Sequence, residues 1–255
     1  MKDITRLLCM VLLSFLVVTG CSRRDILDDY PVSGVEVRLD WSGVTEKLPE
    51  GVRIIFYPKD EKGRKIDTYL SVTGGEVKVP SGHYAVVIYN YDTETVLIRG
   101  EESYETIQAY TNFCKLGMAG TEKMVWGPDP LYVVNIDDLD IQNSEETLIL
   151  KLKPKLVIRT YSFSIKVQGL SNVSNVIGSI GGMADHYFLG KAYAMCDDYP
   201  INIDLNVKAG KIEGVFTTFG LPEAIITRLE IKLPVMMNLM IINCLLYTSD
   251  AADEL

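Results

Sequence analysis

The chain has 255 residues, 47% of them apolar and 23% charged, with a formal net charge of −9. That size and apolar content give one large or two modest domains with buried cores, and they exclude a disordered polymer. The acidic balance argues against nucleic acid or anionic lipid as a partner, because phosphates repel it.

Lys2 and Arg6 precede an apolar run at 7–18 that ends in Val18-Thr19-Gly20-Cys21. The run is too short for the roughly 20 residues that span a bilayer. A basic start, a short apolar stretch and a small residue before cysteine predict a secretory signal with a lipoprotein-type cleavage site. Residues 1–20 are then the signal peptide, and Cys21 is the lipidated first residue of the mature chain. Several acyl chains on one cysteine anchor stably, where a single chain is marginal. Residues 21–33, polar and carrying Asp25, Asp28 and Asp29, read as an acylated tether.

From Gly34 the period is two. Val35, Val37, Leu39 and Trp41 alternate with polar residues, predicting a half-buried strand. Val52-Arg-Ile-Ile-Phe-Tyr57 and residues 66–72 predict two more. Pro80-Ser-Gly82 between two β-rich runs predicts a hairpin. Residues 95–98 and 104–110 complete an N-terminal β-sandwich domain at 34–111. Residues 112–130, with three glycines and two prolines, read as a connecting loop. Strands at 131–136, 147–152, 156–167, 192–195, 201–207, 214–219 and 225–233 then predict a C-terminal β-sandwich domain at 131–233, with a turn at Asp137-Asp138. One helical turn fits 173–180 and no amphipathic helix is seen. The fold class is therefore all-β, two tandem β-sandwich domains.

Cys244-Leu-Leu-Tyr-Thr-Ser-Asp-Ala-Ala-Asp-Glu254 looks like a translated sequencing adapter, and 234–243 lacks clean strand alternation. Residues 234–255 are thus expected to be a non-native or adapter-derived tail, with the second domain truncated and its true end lost.

Catalytic signatures are weak. Asp92-Thr-Glu94 and Asp137-Asp138 are local to turns, where aspartate caps backbone groups. His83 follows a turn glycine and faces solvent, with no serine or cysteine motif beside it. Asp185-His186 follows Gly181-Gly182, but no phosphate-loop or dinucleotide fingerprint is present. No pair of cysteines or histidines has zinc or iron–sulfur spacing, so no metal or other cofactor is expected. With Cys9 removed and Cys21 acylated, Cys114 and Cys196 are either a disulfide or two separate buried thiols. Trp41 is in phase with a core face, whereas Trp126 sits in a loop beside Gly127-Pro128 and is the candidate for an exposed, ligand-stacking aromatic.

Several stretches taken together resemble a Bacteroidetes lipoprotein family of unknown function (DUF5119-like) and, more distantly, the fimbrillin-like subunits and anchors of fimbriae. They are the Cys21 lipobox, Val35-Glu-Val-Arg-Leu-Asp-Trp41, Gly75-Glu-Val-Lys-Val-Pro-Ser-Gly-His-Tyr84, Tyr89-Asn-Tyr-Asp-Thr-Glu94, Trp126-Gly-Pro-Asp-Pro130, Gly182-Met-Ala184 and Phe216-Thr-Thr-Phe-Gly220. The resemblance implies transthyretin-like sandwiches, no enzyme activity, no cofactor, and joining of fimbrial subunits by strand addition. Acidic residues after Cys21 resemble surface-export signals of such lipoproteins, from which Arg23-Arg24 departs. The expected role is a lipid-anchored outer-membrane or cell-surface protein: a fimbrial anchor, accessory subunit or adhesin-like module. The alternatives are a surface glycan-binding lipoprotein that assists polysaccharide uptake and a periplasm-facing structural lipoprotein.

Overall fold

The computed structural model describes residues 32–246, apart from 61–62, 115–122, 145, 169, 171–175, 198, 209, 223–226 and 236–237, and the side chains of 32 and 233–246. The signal and residues 21–31 of the tether, Cys21 among them, lie outside the described residues, and the last two tether residues, 32–33, begin the first strand. The described elements are strands, and no α-helix occurs among them.

The first sheet has eight strands in the order β11-β1-β4-β3-β2-β5-β10-β12. In chain order these are β1 (Val32–Leu39), β2 (Gly51–Pro58), β3 (Ile66–Ser71), β4 (Gly74–Pro80), β5 (Gly82–Asn90), β10 (Tyr132–Ile141), β11 (Leu148–Leu152) and β12 (Lys155–Leu156). The sheet turns a corner between β3 and β4, which share only the pair Ser71↔Gly74. Gly74 has φ +104°, and a Cβ there would run into the Val37 carbonyl, so glycine is required at the corner. Past the corner β1, β4 and β11 face β2, β5 and β10 across one core of Val35, Val37, Val79, Ile54, Phe56 and Val86 with their neighbours.

Alternation explains β1, whose buried Val35, Val37 and Leu39 face that core while Glu36 and Arg38 pair with each other outside. β2 and β5 differ because both of their faces are covered. Ile55, Tyr57, Val87 and Tyr89 enter a second core on the opposite face. That face is closed by a four-stranded sheet, β16-β15-β7-β6, built from β6 (Val96–Arg99), β7 (Gln108–Thr111), β15 (His186–Phe188) and β16 (Tyr193–Met195). The run Ile54-Ile-Phe-Tyr57 is apolar without a break for this reason.

A six-stranded sheet, β13-β18-β17-β14-β19-β20, follows. Its members are β13 (Arg159–Lys166), β14 (Ile177–Gly181), β17 (Ile201–Lys208), β18 (Lys211–Thr218), β19 (Thr227–Val235) and β20 (Asn238–Leu246). It encloses a third core of Ile180, Ile201, Ile203, Ile212, Leu229 and Ile231.

Several expectations change. The hairpin expected at Pro80-Ser-Gly82 does not form: β4 pairs with β1 and β3, β5 pairs with β2 and β10, and the chain crosses between the two halves of the sheet at Ser81. The sandwich boundary at 131 is displaced: β10 pairs with β5 from Val133↔Tyr89 to Ile141↔Gly82, and β10 to β12 complete the first sheet. Asp137 and Asp138 do not end that strand but form a bulge between Ile136 and Leu139, which absorbs two acidic residues without breaking the ladder. The 112–130 segment carries two short strands, β8 (Phe113–Cys114) and β9 (Met124–Val125), and β9 pairs with β17. Residues 177–180 are extended, not helical, because β14 is held by β17 and β19. In the expected tail, 238–246 forms β20, paired with β19 from Thr227↔Leu246 to Val235↔Asn238. An apolar, β-branched run makes a strand there even without alternation, and Pro234 is tolerated because β14 pairing stops at Lys232.

Candidate functional site: an apolar groove, an exposed aromatic and a buried aspartate–histidine pair

The six-stranded sheet leaves part of its apolar face uncovered. β13 pairs with β18 alone among the described residues, so its other edge is open. Tyr161, Phe163 and Ile165 point from it toward Ile180 of β14 and Leu229 of β19, and all three are only half-buried. Between them lies a groove of about 420 Å³, floored by Phe216 and Met183. Gly214 makes room for the Phe163 ring, whose atoms a Cβ at that position would strike. Thr227 Oγ1, on the groove wall, is buried with no hydrogen-bond partner among the described residues. An apolar trough beside an open strand edge can accept an extended peptide, with backbone bonds to the edge and alternate side chains in the trough.

Trp126 is 42% exposed, as its loop position predicts. Its backbone is fixed on both sides: its N–H donates to Asn112 O at 3.1 Å, and the Thr111 hydroxyl donates to its carbonyl at 2.7 Å. Trp41 instead packs against the first core, donates its indole N–H to Val72 O at 2.6 Å and meets Tyr132 edge-on. Other exposed aromatics lie elsewhere on the surface: Tyr69 with Tyr91 in a T-shaped pair at 5.2 Å, and Phe113, edge-on to Tyr199 at 4.9 Å. Each sits on the outward-facing phase of a strand or just past its end, a signal that periodicity carries but that a search for tryptophan passes over.

Cys114 is a buried free thiol in β8, so the bridge to Cys196 is not formed. Strand alternation turns Cys114 inward while its neighbour Phe113 faces out toward Tyr199. Burial pushes the Cys114 thiol pKa up, which makes it a poor nucleophile at neutral pH.

The paired carboxylates are occupied structurally. Asp92 accepts from Glu50 N at 2.9 Å and from the Asn90 amide at 3.0 Å. Asp137 accepts from the Tyr104 hydroxyl at 2.7 Å. Asp138 meets Lys59 at 3.0 Å and His83 at 3.3 Å, and the lysine first, then the histidine, holds its pKa below the ordinary carboxylate range. His83 is exposed, as expected. Arg53, whose role the sequence does not signal, gathers Asp67, Glu101 and the Tyr89 hydroxyl, and the hydrogen bonds to Asp67 first, then Glu101, raise its pKa.

Asp185 and His186 are 6% and 4% exposed, and Asp185 Oδ1 lies 2.6 Å from His186 Nδ1. Asp197, from the loop after β16, closes the group: its N–H donates to Asp185 Oδ2 at 3.0 Å, and its own Oδ2 lies 3.9 Å from His186 Nδ1. The three line a cavity of about 100 Å³ with Arg99, Tyr110 and Tyr199. The sequence shows the dipeptide but not its partner, since only the β15–β16 hairpin brings Asp197 back.

Comparison with known proteins gives one consistent answer. The chain is 58% identical over 211 residues to "Putative fimbrium anchoring subunit Fim4B" of Bacteroides ovatus, covering 82% of this chain and 63% of that protein's length. A crystal structure described as "a putative adhesin" from Bacteroides ovatus shares 49% identity and superposes with a TM-score of 0.82, covering 89% of this chain and 87% of the other. The fimbrial anchor protein Mfa2 from Porphyromonas gingivalis, 14% identical, shares the fold at a TM-score of 0.53 over 78% of this chain and 77% of its own. The model of a domain of unknown function, DUF5119, matches residues 20–204, and the chain belongs to that family.

Proposed function

We propose that this chain is a lipid-anchored, non-catalytic protein of the outer membrane, displayed at the cell surface as the anchor or an accessory subunit of a fimbrium. The observation that carries the reading is the 58% identity to a protein named as a fimbrium anchoring subunit. The lipoprotein-type sequence ending at Cys21 supports the attachment. The open edge of β13 beside the apolar groove supports the mode of contact: another fimbrial subunit adds a strand there.

Protease treatment of intact cells expressing the full-length gene, with detection of the 32–233 region, tests the location. The band is lost from intact cells carrying the native sequence, and Cys21→Ala releases the protein from the membrane fraction. Survival of the native band until lysis overturns surface display. Fimbrial subunits co-purify with the native chain after mild crosslinking, and they are lost when Phe163→Arg blocks the groove.

A second reading rests on Trp126. Its 42% exposure on a backbone pinned at both sides suits a platform for a sugar face. If this surface binds glycans, Trp126→Ala weakens retention on a polysaccharide affinity gel. Unchanged migration rejects that site.

A further inference from the structure

We infer that Asp185, His186 and Asp197 form a binding site for a divalent transition-metal ion, with zinc the best-matched case. One imidazole and two carboxylates are the donor types that zinc accepts, and together they supply two negative charges. One atom from each residue lies within 4.8 Å of the others. His186 Nδ1 is 2.6 Å from Asp185 Oδ1 and 3.9 Å from Asp197 Oδ2. These separations straddle the roughly 3.4 Å between two ligands of a tetrahedral zinc with bonds of about 2.1 Å. An ion therefore enters by widening one contact and narrowing the other, each by less than about 1 Å.

Three further features point to a ligand and not merely to a buried ion pair. The side chains of Asp185 and His186 are both more than nine-tenths buried. The His186 ring lines the cavity, with Nδ1 held toward Asp185. Metal at Nδ1 thus breaks only the bond to Asp185, and the ring proton either passes to Nε2 or leaves to solvent. Finally, the Asp197 N–H already donates to Asp185 Oδ2, so the two carboxylate residues are tied together before any ion arrives. Three protein ligands leave a fourth position open toward the cavity. The nearby cation is Arg99, 4.0 Å from Asp197 Oδ2, and its half-exposed side chain can move aside. Filling the site would fasten the loop after β16 to β15, where the four-stranded and six-stranded sheets meet.

The test uses the full chain in detergent without a histidine tag, stripped with EDTA and titrated with zinc. Calorimetry is expected to give one zinc per chain. The midpoint of thermal unfolding rises by about 5–10 °C at free zinc 100-fold above Kd. Asp197→Asn, at a side chain 52% exposed and therefore safe for folding, lowers affinity at least tenfold. His83→Ala removes the other histidine, which sits with Asp138 and Asp140 at the surface, and leaves binding unchanged. Cobalt in place of zinc gives the visible absorption of a tetrahedral ion in the native chain and not in Asp197→Asn. Absence of stoichiometric zinc, equal affinity in Asp197→Asn, or loss of binding in His83→Ala would each overturn the assignment. In the first two cases the group is a histidine–aspartate ion pair and no more.

Discussion

β1 and β13 carry nearly the same sequence pattern and reach different ends. Each alternates apolar with polar: Val35, Val37, Leu39 in one, Tyr161, Phe163, Ile165 in the other. The first trio is buried against β2, β5 and β10, whereas the second is half-buried along an open groove. Alternation states that one face is apolar. It does not state what covers that face. In the eight-stranded sheet the cover comes from the same chain, folded over at the Gly74 corner. In the six-stranded sheet part of the cover is missing among the described residues, and an apolar face left open is a surface for a partner.

Paired truncations sharpen this contrast, and the largest effect falls in the closed sandwich. Phe56 is fully buried and meets Tyr84 edge-on at 6.1 Å. Phe56→Ala is expected to cost about 3–5 kcal/mol in denaturant unfolding, the transfer loss plus an unfilled cavity. Gly74→Ala attacks the same sandwich at its corner, through strained backbone and overlap with the Val37 carbonyl, at about 2–3 kcal/mol. Phe163→Ala on the groove removes a ring already half in water and should cost only about 1–2 kcal/mol. Equal costs for Phe56→Ala and Phe163→Ala would mean that the groove is closed in solution.

Much of this was readable from residues alone. The period of two gave β1, and the loop glycine and prolines gave the exposure of Trp126. The Pro80–Gly82 signal marked where β4 ends and β5 begins, but not their partners: the two strands do not pair with each other. What was not readable came from pairing over long sequence distances. Val133 to Ile141 reads equally well as the start of a second sandwich or the end of the first, and only its ladder with β5 decides. The unbroken apolar run of β2 tells of two covered faces but not that β6, β7, β15 and β16 supply the second cover. Asp197 gives no sign of its partnership with Asp185 and His186 until the β15–β16 hairpin is closed.

The smallest effect is the most direct probe of what the groove lacks. Thr227 Oγ1 is buried on the groove wall without a partner among the described residues, and an unpaired hydroxyl there costs about 1–3 kcal/mol. Valine keeps the shape and removes that cost, so Thr227→Val should stabilise the isolated chain by about 1 kcal/mol, read as a rise in the denaturant midpoint at constant slope. The same substitution should weaken a bound strand if that strand's backbone supplies the missing partner. A variant that is more stable alone yet captures less of the proposed strand-donating partner would identify the hydroxyl as part of the docking surface. One that is destabilised alone would show that water already serves it, and that the groove is wetter than its side chains suggest.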